Sequence, residues 1–257
     1  TWPSPDIFNP YSLINAFAKK RLGNFWFGSG TPTFLIEMMR KFNVVPTEIG
    51  EKSMRSSGFD APAEHLTSIY PLLYQSGYLT IKDGDRNMDF YTLDIPNNEI
   101  RVGLMSSLFP NYVQQTAVVG ETTVTRMYQL IRDEKMNEAL IELQKYLLTV
   151  PYCRGAKSEG HYQQMLYIIF SLLGYYVDVE VHTADGRVDL VMRTSYALYL
   201  IELKINKSAD KAMEQIELKQ YDKRFSQTNL PIIKVGIDFS TKKHTLTGWV
   251  IDDPRKA

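Results

Sequence analysis

Gly186-Arg187-Val188-Asp189-Leu190-Val191 and Tyr199-Leu200-Ile201-Glu202-Leu203-Lys204 each set one or two ionisable residues among apolar, strand-forming ones. Side chains alternate across a strand, so Glu202 and Lys204 share one face while Leu203 turns to the other. Asp189, on the neighbouring strand, can reach the same patch. Two carboxylates converging on one face suit a hard divalent cation, Mg²⁺ or Mn²⁺, bound through oxygen with waters retained for catalysis. A lysine beside them can orient or help deprotonate an attacking water and stabilise charge on a phosphate. A Glu-X-Lys triplet alone is an ordinary ion pair. Its weight here comes from the aspartate before it and the elements around it.

Those elements follow from hydrophobic spacing. A helix is expected from Glu159 to Leu173, then strands near 175–182, 187–193 and 197–205, a helix over 208–225, and strands near 232–237 and 245–251. The outcome is an α/β unit, a mixed sheet flanked by helices. Upstream the pattern is mostly helical. Helices are expected over 11–24, from Pro32 through Met39, over 63–77 with a kink at Pro71, over 97–109, and as two segments in 123–148. Tyr78-Leu79-Thr80-Ile81 and Phe90-Tyr91-Thr92-Leu93 alternate around a polar turn and read as a hairpin. Helices followed by a two-stranded wing suggest a winged-helix-like module. The proline and glycine of Pro151-Tyr152-Cys153-Arg154-Gly155 interrupt the helical period and mark a boundary. The expected division is a helical, winged-helix-like region over 1–112, a helical linker over 113–150 and the α/β unit over 151–257, α+β overall.

Composition narrows the function classes. Of 257 residues 44% are hydrophobic and 23% charged, which is ordinary globular protein. Lys+Arg and Asp+Glu both number 29, so the molecule as a whole presents no strong field towards nucleic acid. The single cysteine, Cys153, rules out an internal disulfide and a Cys-cluster zinc site, and suits a cytoplasmic protein. His65, His161, His182 and His244 lack zinc-ligand spacing. The apolar run from Met165 to Val177 is too short for a bilayer, so no membrane partner is expected. The chain opens on Thr1 instead of methionine, as a piece of a longer protein would.

From about residue 151 to 257 the chain resembles the PD-(D/E)XK nuclease superfamily, whose core is a helix, a hairpin carrying Asp then Glu-X-Lys, a helix and further strands. Asp189 matches the family aspartate and Glu202-Leu203-Lys204 the E-X-K element. The family name's proline is absent, since Val188 precedes the aspartate. The resemblance implies a restriction-endonuclease-like fold with Mg²⁺ or Mn²⁺ on Asp189, Glu202 and the Leu203 carbonyl, and a catalytic role for Lys204. It also implies a first-helix glutamate, for which Glu159 is the match and Glu180 a competitor. Gln215 and Tyr221 fit the Gln and Tyr that some branches carry on the second helix.

Phe25-Trp26-Phe27-Gly28-Ser29-Gly30-Thr31-Pro32 and Leu72-Leu73-Tyr74-Gln75-Ser76-Gly77-Tyr78-Leu79 extend the likeness to bacterial AAA-ATPase-like proteins that end in such a domain. The Walker motif G-x-x-x-x-G-K-[S/T] is absent from this sequence, so the chain by itself is not expected to bind or hydrolyse ATP. What the resemblance implies is a metal-dependent nuclease acting on DNA or RNA, attached to the lid of an ATPase core. A second reading retains the nuclease fold as a non-catalytic scaffold for binding protein or nucleic acid.

Overall fold

A computed structural model of the chain describes residues 9–21, 23, 25, 26, 33–60, 67–113, 117–150, 159–175, 178–184, 187–219, 225 and 229–256. Two units divide at residue 108, Thr1–Leu108 and Phe109–Ala257.

In the first unit α1 (Pro10–Lys19) starts at Asn9, whose side chain accepts the Ser12 N–H at 3.1 Å. After α2 (Thr33–Lys41) come β1 (Lys52–Met54), α3 (Tyr70–Gln75), β2 (Thr80–Asp85) and β3 (Phe90–Asp94). These strands form an antiparallel sheet in the order β1-β3-β2. The short β1 gives no alternating signal, and only its pairing with β3 defines it. The helix expected over 63–77 is shorter where described: residues 67–69 are not helical, and 61–66 lie outside the described residues. Pro71 therefore sits in the first turn of α3, where a missing N–H costs no intrahelical bond, and produces no kink. Gly77 ends the helix at φ 79°, letting the Tyr78 N–H return to the Leu73 carbonyl at 2.8 Å. Ile69, Leu73, Leu79 and Leu93 are fully buried at the centre of this unit.

Helix α4 (Asn98–Val113) carries the chain onward and contains Pro110, beyond the expected end at Phe109. The second unit continues with α5 (Ala117–Arg132), α6 (Met136–Thr149), α7 (Glu159–Leu172), β4 (Asp178–Ala184), β5 (Arg187–Arg193), β6 (Leu198–Ile205), α8 (Ala209–Leu218), β7 (Ile232–Ser240) and β8 (Thr245–Asp252). The five strands lie in sequence order; β6 and β7 are parallel and the other pairs antiparallel. Helix α7 packs against β4 and β5, and α6 is tied to β8. The Gln144 side-chain amide donates to the Leu246 carbonyl at 2.8 Å, and the Thr245 hydroxyl donates to the Gln144 carbonyl at 2.9 Å.

Parallel neighbours cannot be joined by a tight turn, so β6 and β7 need a crossover, and α8 lies within it. Its start is built locally. Asn206 takes a left-handed backbone (φ 57°), its N–H donates to the Phe239 carbonyl at 2.7 Å, and its side chain accepts the Thr241 N–H at 2.9 Å. Ser208 then caps α8, accepting the Lys211 N–H at 3.2 Å. The helix buries Ile216 against Leu198 and Leu200, with Met213 packed on the same cluster. Where it crosses β7 there is no room for a side chain. A Cβ on Gly236 would stand 2.5 Å from the Ala209 carbonyl oxygen and 2.8 Å from Met213 Cγ.

Replacing Gly236 with Ala is therefore expected to push α8 off the sheet and lower unfolding stability by about 1–3 kcal/mol, with Val costing more. Urea unfolding followed by far-ultraviolet circular dichroism measures it; an unchanged midpoint for both variants would contradict the contact.

Candidate functional site

All eight residues of β6 are buried, so its near-continuous apolar run, Leu-Tyr-Leu-Ile-Glu-Leu-Lys-Ile, is what a central, doubly covered strand requires. Glu202 and Lys204 break that run on the face that carries α8. Their partners are set by register: Asp189 on β5 lies directly opposite Glu202, and Gly236 on β7 flanks Glu202 on the other side. Asp189, Glu202 and Lys204 are 8%, 1% and 6% exposed.

Charges this deep are stable only with opposite charges in contact. Lys204 Nζ donates to Glu202 Oε1 at 2.8 Å. Lys219, the residue that caps the C-terminus of α8, donates to Glu202 Oε2 at 3.0 Å and also to Asp189 Oδ2. Two carboxylates and two ammonium groups are thus in mutual contact. Burial pushes the Glu202 carboxyl above the usual carboxylate range, and the Asp189 carboxyl beside it adds to the rise against the opposing pull of the two lysines. Burial draws the Lys219 ammonium down, but its hydrogen bonds to both carboxylates outweigh this and leave it above its ordinary value.

Asp189, Glu202 and Lys204 are brought together as the sequence pattern anticipates. Leu203 lies between the latter two, fully buried. Gln215 is half-buried on α8, one turn before Lys219, whose N–H its backbone carbonyl accepts at 3.1 Å. Glu159 opens α7 and Glu180 lies on β4 opposite Val191, two residues from the position of His182 opposite Asp189. Tyr221 lies outside the described residues. Lys219 was missed by the sequence reading. One signal for it was available: it stands four residues after Gln215 on the helix that must cover the E-X-K strand.

Among the described residues no group of three or more His, Cys, Asp and Glu side chains could hold a metal ion. The donor set nevertheless fits a divalent ion. The Lys219 ammonium, accepted by one oxygen from each carboxylate, is a stand-in cation, and carboxylate oxygens are the ligands that Mg²⁺ and Mn²⁺ favour.

Comparison with known proteins agrees with this geometry. Residues 157–249 match the model of the PD-(D/E)XK nuclease superfamily. That stretch is a PD-(D/E)XK nuclease superfamily domain. Its mixed sheet and flanking helices are the restriction-endonuclease-like fold, and the acidic pair lies on two strands inside the match. A curated relative, an uncharacterized protein in the vnfD 5' region of Azotobacter chroococcum mcd 1, is 27% identical over 263 residues, covering 98% of this chain and 50% of the relative. The chain thus spans about half of that relative's length. No solved structure matches the chain. Among the described residues, no helix is long and apolar enough to cross a membrane.

The charge accounting at Glu202 can be checked on stability alone. Lys204→Met leaves a buried carboxylate oxygen without its 2.8 Å donor and is expected to cost about 3–5 kcal/mol in the metal-free protein. Adding Glu202→Met removes the orphaned charge and recovers most of that loss. Denaturant titration of both variants tests this, and a double variant no more stable than the single one would refute it.

Proposed function

We propose that the PD-(D/E)XK domain hydrolyses phosphodiester bonds in nucleic acid with a divalent metal ion. The observation that carries this reading is the cross-strand pairing of Asp189 with Glu202, with Lys204 on the same face. Asp189 and Glu202 would hold Mg²⁺ or Mn²⁺ through their carboxylates, with the Leu203 carbonyl as a further ligand. When bound, such an ion would supply Lewis-acid stabilisation of the phosphate and lower the pKa of a water. Lys204, fixed against Glu202, orients the attacking water and neutralises charge developing on the phosphate. Burial around β6 keeps the field of these groups strong by excluding bulk water. Glu159 is our choice for a further acidic residue, with Glu180 in second place, and Gln215 and Tyr221 are kept as the match to the Gln and Tyr that some branches of the superfamily carry. DNA and RNA both suit this chemistry.

The first unit is read as the winged-helix-like lid of an AAA-type ATPase. Its strand order β1-β3-β2, with α3 between β1 and the β2–β3 hairpin, supports the winged-helix part. The ATPase part rests on the likeness at residues 25–32 and 72–79. In the sequence division this region covers 1–112, followed by a linker at 113–150.

A second reading, a non-catalytic scaffold, is favoured by one observation: Lys219 already neutralises the acidic pair. Incubating the purified chain with single- and double-stranded DNA and RNA in Mn²⁺ separates the two. We expect cleavage, reduced at least about a hundredfold by Asp189→Ala and by Lys204→Ala. Failure to cleave any of the four substrates, together with failure to bind Mn²⁺ in calorimetry, would establish the scaffold.

A further inference from the structure

The lysine seated between the two carboxylates is an addition to the E-X-K pattern, and its position is specific. It contacts one oxygen of each acid, Asp189 Oδ2 and Glu202 Oε2, leaving Glu202 Oε1 to Lys204. A divalent ion shared by the two acids needs an oxygen from each of them, so it and the Lys219 ammonium contend for the same place. Electrostatics forbids a compromise. With both ammonium groups retained, a divalent ion would add two positive charges to a largely buried site. With Lys219 withdrawn the addition is one, which a single phosphodiester group cancels.

The two lysines differ in their freedom to leave. Lys204 projects from the central strand and its side chain is 7% exposed, whereas that of Lys219 is 19% exposed and hangs from the residue just past the last turn of α8. The more exposed side chain is the one with the shorter way to solvent.

We propose that Lys219 is a displaceable internal cation that closes the Asp189–Glu202 pair when no divalent ion is bound and leaves it when one binds. This rests on the nuclease reading of the site and deepens it. The lysine holds two like charges together in a dry site and so preserves the spacing of the ligands. It also weakens ion binding, because the ion must displace it from the two carboxylates, and the exchange of one positive charge for two adds a positive charge that a phosphodiester can counter. Ion and phosphodiester therefore bind with positive coupling.

The test uses Mn²⁺ alone on the whole chain. In calorimetry, Lys219→Met is expected to bind Mn²⁺ at least tenfold more tightly than the unaltered protein, and Asp189→Ala in that background to abolish the gain. Unchanged or weaker binding by Lys219→Met would overturn the displacement while leaving the nuclease reading intact. Absence of Mn²⁺ binding in both proteins would overturn both. A second measurement needs no variant. The acylation rate of Lys219 in the unaltered protein, followed by mass spectrometry, should rise severalfold on adding Mn²⁺ as the ammonium is released; an unchanged or slower rate at saturating Mn²⁺ would refute the proposal.

Discussion

Placing two carboxylates side by side inside a sheet is the constraint from which the second unit's architecture can be understood. Like charges at directly opposed strand positions repel, and both acids here are nearly shut off from water. The fold offsets this cost with cations from two sources. One is local, Lys204 on the same strand as Glu202. The other comes from α8, whose course is fixed by the cap at Ser208, by Ile216 against Leu198 and Leu200, and by its close passage over Gly236. A shift of α8 along or away from the sheet would move Lys219 with it, so apolar packing and charge balance depend on each other.

Much of this arrangement was legible before any coordinates. The alternation in Tyr199–Lys204 fixes which side chains share a face, and the strand before it supplies Asp189; register then sets the two acids opposite one another. The five strands and α8 of the second unit also follow from hydrophobic period and turn residues. The elements that escaped were those whose signal is not periodic. Strand β1 is too short to alternate, and α3 starts only at Tyr70 because a proline is best accommodated in a first helical turn. Lys219 escaped for another reason: inside a helix expected over 208–225 a lysine reads as part of a solvated face, and the sequence does not show that the helix ends at Leu218 and turns this side chain towards the sheet.

The two units also differ in where their ionisable groups are kept. Among the described residues of the first unit the largest fully buried side chains, Ile69, Leu73, Leu79, Leu93, Leu104 and Met105, are apolar. The hairpin β2–β3 exposes Lys82, Asp83, Asp85 and Arg86 to solvent. Among the described residues of the second unit three charged side chains are buried in one place, Asp189, Glu202 and Lys204. Burial of charge is an expense that a fold meets only with dedicated partners, and its confinement to one face of one strand pair separates a site from a general tolerance of polar interiors.

The connections of β6 also set an order of assembly. Strands β5 and β6 are joined through residues 194–197, where the Thr194 N–H meets the Ala197 carbonyl at 2.9 Å, so the hairpin closes a short loop. The parallel pairing of β6 with β7 closes a longer one through the α8 crossover, and longer closures come later in a folding chain. Asp189 and Glu202 therefore meet while still hydrated, on an open hairpin whose outer face water can reach. Dehydration comes when α8 docks, and the ammonium that takes the place of that water travels on the same helix.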